Sequence, residues 1–192
     1  MTEKPILASA SPRRIELLRS LGLDFDILPS PCENEPDMSI GPQAALESVA
    51  LAKAETVRDM TGTDKLIIAA DTSVLLDGAF LGKPRDRAEA AAMLRALSGR
   101  RHTVITGVAL LRGPDNIVFS ETTQVFFRPL TEREINIYTA TGEPLDKAGA
   151  YGAQGMASLF IERIEGDYFN VVGLPVCRLG LMLARMGINI LE

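Results

Sequence analysis

The chain has 192 residues, 46% apolar and 23% charged, with a net charge of −5, 2 cysteines and 1 histidine. That length carries one domain with a real core, and the acidic balance excludes a surface built to hold nucleic acid through its phosphates. Cys32 and Cys177, far apart, exclude a disulfide framework or thiolate zinc site, and a lone histidine, His102, excludes a multi-histidine metal centre.

In chain order, Ile6 to Ala8 reads as a buried strand. Ser11 stands as N-cap and Pro12 as first residue of a helix that Gly22 stops, with Ile15, Leu18 and Leu21 at helical spacing. A second strand is expected at Phe25 to Leu28, a loop from Pro29 to Pro42, and an alanine-rich helix from Gln43 to Met60. Lys65 to Asp71, KLIIAAD, reads as a buried strand ending in a carboxylate. Ser73 to Leu76 and Ala79 to Leu81 flank Asp77-Gly78, a hairpin signal. Asp86 caps a helix to Leu97. Thr103 to Leu111 and Ile117 to Phe127 are strands joined by a turn at Gly113 to Asn116. Thr131-Glu132-Arg133-Glu134 is a capping box opening a helix to Ala140. Gly142 to Gly155 is dense in glycine, Leu159 to Ile164 is a strand, and Pro175 to Met186 a closing helix. The alternation is that of an α/β protein with one domain over 1–192.

Neither GxxxxGK[ST] nor a GxGxxG after the first strand occurs, which removes the P-loop and the ordinary dinucleotide fingerprint. Arg13 and Arg14 sit in the first turn of a helix, where cations are disfavoured. They either point to solvent or pair with Glu16 or nearby acids, or, with Ser9 and the helix N-terminus, wait for a phosphate chain, which suits the guanidinium fork. Asp71 is either a turn-forming residue or a carboxylate at a sheet rim, where it orients water or an ion. Glu33 and Glu35 are solvated loop acids or supply an oxygen ligand. Lys53 and Lys83 read first as surface lysines, and Asp146 and Lys147 lie either in an ordinary structural turn or where glycines let backbone approach a ligand. His102, behind Arg100 and Arg101, reads first as structural, with a site role as the alternative. Basic groups, carboxylates and no histidine–nucleophile pair suit metal-assisted water attack on a phosphoanhydride better than covalent catalysis.

LASASPRR, CENE, AADTSV, LGKPRD, LSGRRHTVITGVAL and EPLDKAGAYGAQG, in this order, resemble the Maf family of nucleoside triphosphate pyrophosphatases, once called septum-formation inhibitors, over nearly the whole chain. The resemblance implies an elongated, curved mixed sheet flanked by helices, two lobes around a central cleft, and a shape related to inosine triphosphate pyrophosphatases. It also implies a cytoplasmic, commonly dimeric enzyme with a nucleoside triphosphate substrate and a divalent cation (Mg, Mn or Co). No stable nucleic-acid partner and no membrane partner are expected. On the family's pattern Asp71 is the proton acceptor, sharing the metal with Glu33. Lys53 and Lys83 complete the catalytic set. Ser9, Arg13, Arg14, Thr72, Asp146, Lys147 and Gln154 bind substrate or set specificity. EPLDKAGAYGAQG resembles the dTTP/UTP branch rather than the 7-methyl-GTP branch, and a glutamine amide can pair with one edge of a pyrimidine. Met156-Ala157-Ser158, after Gly155, departs from the pattern and bears on base-pocket shape. A nucleotide-binding regulator of cell division is the alternative.

Overall fold

The structure, a computed structural model, describes residues 3–191. β1 (Ile6–Leu7), α1 (Pro12–Ser20) and β2 (Asp26–Ile27) are followed by a loop containing a 3-10 turn and by α2 (Pro42–Thr61). Then come β3 (Ile67–Leu76), β4 (Ala79–Leu81), α3 (Arg87–Leu97), β5 (Arg101–Arg112), β6 (Asp115–Phe127) and α4 (Glu132–Ala140). Three 3-10 turns lead to β7 (Ile161–Glu165), α5 (Tyr168–Val172) and α6 (Val176–Arg185). The strands form one mixed sheet in the order β2-β1-β3-β5-β6-β7, with β4 paired to β3. β1 runs parallel to β2 and β3, while β4 and β7 run antiparallel to β3 and β6. Parallel neighbours need helical crossovers, which α1 and α2 supply, so the α/β expectation holds. No helix among the described residues is long and apolar enough to cross a membrane.

The chain divides into two compact units. One comprises Met1–Asp71, Thr106–Glu121 and Gly173–Glu192; the other comprises Thr72–Ile105 and Thr122–Val172. In the first, α2 buries Ala45, Leu46, Val49, Ala50, Ala54 and Val57. Ala50, Ala54 and Val57 join Ile6, Ala8, Ile67, Ala69, Ala109 and Leu111 in one core cluster. Small side chains let helix and sheet come close. At Gly107 on β5 an added Cβ would lie 2.3 Å from the Leu46 carbonyl oxygen, so only glycine fits between strand and helix backbone. In the second unit His102, Phe127, Tyr138, Tyr151 and Phe160 make an aromatic core of edge-to-face pairs.

Three expectations change. The strand does not end at Asp71: β3 continues to Leu76, so Asp71 lies mid-strand rather than at a sheet rim. The later half finds an antiparallel partner in β4, with Val74 opposite Leu81, and the backbone has no need to turn. Leu159 belongs to a 3-10 turn, and β7 begins at Ile161. The stretch before Pro175 holds α5, which no spacing rule indicated. It is tied down from afar, where buried Asn170 donates from Nδ2 to Thr123 Oγ1 (2.9 Å) and Val104 O (3.2 Å).

Candidate active site

In the first unit the strand β1 runs into α1 through Ser9-Ala10-Ser11. Ser11 occupies the N-cap position, but its side chain makes no cap bond. Instead its N–H donates to Ser9 Oγ (3.2 Å), and so does Arg14 Nη1 (3.2 Å). Both acceptor positions of the Ser9 hydroxyl are thereby used, leaving its hydrogen as a donor. Arg14 also donates from Nε to the Gly173 carbonyl (2.8 Å). Gly173 sits at φ 123°, a conformation for glycine, just before buried Leu174 leads into α6. Burial pushes the Arg14 guanidinium below its ordinary value; the Asp71 carboxylate acts against that, and neighbouring Arg13 adds to it. Two guanidiniums side by side at a helix start suit a polyanion, and a phosphate chain matches their paired donors.

Lys53 falls on the stripe Leu46, Ala50, Lys53, Val57 that faces the sheet, and its Nζ forms an ion pair with Asp71 Oδ1. The two side chains are 20% and 22% exposed, so water and a ligand can still reach the pair. Ser9, Arg13, Arg14, Lys53 and Asp71 therefore share one unit, linked by hydrogen bonds, an ion pair and the Arg13–Arg14–Asp71 charges. Glu33 belongs to the same unit, but it lies exposed on the loop after β2 and forms no hydrogen bond or ion pair with another described residue. Among the described residues no group of three or more His, Cys, Asp or Glu gathers as a metal cage.

The second unit holds Thr72, Lys83, Asp146, Lys147 and Gln154. Thr72 is half-buried on β3, while Lys83 and Gln154 are exposed. The Lys83 loop and the glycine-dense segment meet where Gly149 N–H donates to Gly82 O (3.0 Å). Lys147 is turned into its own segment, donating to Glu143 O (2.7 Å) and Asp146 Oδ1 (2.6 Å). His102 is buried, as the structural reading expects. Its Nε2 lies 2.7 Å from the Tyr151 hydroxyl, and burial lowers its pKa to about 4. Sequence reasoning missed Gly173, Tyr138, Glu143 and Tyr151. Their roles run through contacts between distant segments or through a backbone carbonyl, which residue type does not advertise. The one available signal was the second glycine-bearing stretch, NVVGLP.

The family model described as Maf-like protein matches residues 4–186. A protein of Moorella thermoacetica named dTTP/UTP pyrophosphatase is 52% identical over 190 residues, 97% of both chains. One of a Geobacillus species with the same name is 51% identical over 182 residues, 95% of this chain and 97% of its own. Among solved structures, a HAM1 protein from Coxiella burnetii is 19% identical, with a TM-score of 0.48 over 66% of this chain and 73% of its own. With that model spanning nearly every residue and half of all positions identical in full-length relatives, the chain belongs to the Maf family.

Proposed function

We propose that the chain is a nucleoside triphosphate pyrophosphatase that cleaves dTTP and UTP to the monophosphate and pyrophosphate. The observation that carries this is the gathering, in one unit, of a half-buried arginine and a serine donor at a helix start with the Lys53–Asp71 pair. The two full-length relatives named dTTP/UTP pyrophosphatase support the substrate class. The oxygen of a water bonds to the α-phosphorus, and the bridging oxygen between the α and β phosphorus leaves with pyrophosphate. The water's proton passes to the Asp71 carboxylate. Arg13, Arg14 and the Ser9 hydroxyl hold phosphate oxygens, and the lysine ammoniums of Lys53 and Lys83 offset charge that develops on them. Gln154, with Thr72 and Asp146, selects the base. Lys147 supports that choice by holding Glu143 and Asp146.

A divalent ion belongs to this proposal. Magnesium is commonly bound through one or two carboxylates plus substrate phosphates rather than an all-protein cage. Partly exposed Asp71 with exposed Glu33, and no larger cluster among the described residues, fit that mode. When bound, the ion supplies positive charge to the phosphates and lowers the pKa of a water it holds. A cytoplasmic location and a homodimer complete the proposal, and light scattering on the purified protein checks the second.

The test is product analysis on a panel of nucleoside triphosphates with magnesium or manganese, run beside Asp71→Asn. Pyrophosphate should appear fastest from dTTP and UTP, and the folded variant should lose about 10³-fold in kcat. Preference for 7-methyl-GTP would overturn the base assignment. Tight nucleotide binding without turnover would turn the reading to a regulatory protein.

A further inference from the structure

The segment from Gly142 to Gly155 is irregular apart from short 3-10 turns, yet it is held in a single shape from inside its own unit. Tyr138 on α4 is 1% exposed. Its hydroxyl donates to Glu143 Oε1 (3.1 Å) and accepts the Gly152 N–H. One phenol oxygen thus joins residues nine positions apart and closes the segment on itself. The Lys147 chain crosses that ring: a Cβ on Gly152 would lie 2.8 Å from Lys147 Cε, so a side chain there would displace the end of the lysine. A Cβ on Gly155 would lie 3.0 Å from Glu143 Oε1, which places the residue after Gln154 against the same carboxylate.

Tyr151, 5% exposed, makes the second fixture. Its hydroxyl shares a hydrogen bond with His102 Nε2 on β5, and its ring packs edge-on against Phe127 (4.8 Å between centroids) and His102 (5.3 Å). Immediately before it, Ala150 is fully buried at φ 61°, a left-handed conformation that an alanine keeps only when its surroundings impose it. Burial raises the pKa of both phenols, so each keeps its proton and remains a donor.

We propose that Tyr138 and Tyr151 are positioning residues for base selection, their hydroxyls fixing the frame from which Gln154 is presented. This rests on the reading of Gln154 as a base-selecting residue. Neither tyrosine is assigned contact with the nucleotide. Each acts through the segment, as a specificity loop pinned by buried neighbours acts through the one side chain it exposes.

Tyr138→Phe and Tyr151→Phe keep the rings and delete the hydroxyls. Selectivity is read as the ratio of kcat/KM for UTP over CTP, and the phosphate side as the inhibition constant of inorganic triphosphate, which has no base. Each variant should lose about tenfold in selectivity, chiefly through KM for UTP, with the triphosphate constant within about twofold. Glu143→Gln keeps an acceptor for Tyr138 and should retain selectivity; Glu143→Leu should match Tyr138→Phe. Unchanged selectivity in both phenylalanine variants, with Gln154→Ala losing it, overturns the clamp alone. Gln154→Ala keeping full selectivity overturns the reading beneath it. In the Gln154→Ala background, Tyr138→Phe should cost no further selectivity, and an independent loss there would also overturn the proposal.

Discussion

Around Asp71 the polar groups are charged and still reachable by water: Lys53 and Asp71 are each about one-fifth exposed, and Arg14 is shared between a hydroxyl and a carbonyl. Around Tyr151 they are neutral and dry: His102 is 2% exposed and Tyr151 5%. The difference fits the role proposed for each region. Partly wet ion pairs are worth about 1 kcal/mol or less and can exchange partners when a polyanion arrives. A buried neutral hydrogen bond costs about 1–3 kcal/mol when one partner is lost, so it keeps one arrangement. The first region is built for exchange and the second for rigidity.

Lys53→Met breaks the charged region most sharply. Turnover should fall about 10²- to 10³-fold, because the ammonium beside the carboxylate proposed to take the water's proton is gone. Stability, read by urea unfolding, should move by no more than about 1 kcal/mol, since the pair is partly solvated. A large stability loss with activity preserved would reverse the contrast between the two regions.

The neutral region is tested by acid. His102 has a folded pKa of about 4 against an ordinary 6.5, so between those values the unfolded chain binds a proton that the folded chain refuses. Stability therefore rises with pH from about 4 to about 6.5 and gains nothing further from this group above that range. At pH 5 the deficit is about 2 kcal/mol, from 1.5 units at about 1.36 kcal/mol each. Urea midpoints from pH 7 down to pH 4.5 should show this slope in the native chain. His102→Gln, lacking the titration, should show it reduced by that amount. Equal slopes would mean that His102 is solvated and charged in the folded protein.

The contrast also explains what could be read from the chain. Devices made of neighbours in sequence were legible. The Asp77-Gly78 turn has φ 52° and 81°, Asp86 caps α3 through the Glu89 N–H (2.8 Å), and Thr131 with Glu134 forms its box. The residues proposed to hold phosphate were legible in part, since Ser9 to Arg14 is one local stretch. Lys53 on the stripe Leu46, Ala50, Val57 is a charge in a core position, a stronger signal than its alanine-rich setting suggested. Asp71 as a mid-strand residue was not legible: the Ser73–Leu76 and Ala79–Leu81 hairpin was, but nothing in KLIIAADTS marks the hairpin's first arm as continuous with the strand before it. The Tyr138 and Tyr151 fixtures were not legible either: a phenol meeting a peptide N–H fourteen residues on, or a histidine 49 residues away, has no period.

The smallest effect expected is at Ala150, and it measures how much strain the fixtures hold. A left-handed conformation costs a non-glycine residue about 1–2 kcal/mol. Ala150→Gly removes that cost but gives the unfolded chain more freedom, about 0.4–1 kcal/mol in the opposite sense, and loses a buried methyl worth about 0.8 kcal/mol. The terms nearly cancel, so urea unfolding should shift by less than about 1 kcal/mol in either direction. In the Tyr138→Phe background one fixture is gone, and an alanine held at φ 61° has less to oppose its relaxation. There Ala150→Gly should stabilise less than it does in the native chain, because part of the strain has already been released. An equal effect in both backgrounds would mean that the 3-10 turns alone impose the conformation and that the phenol contributes nothing to it.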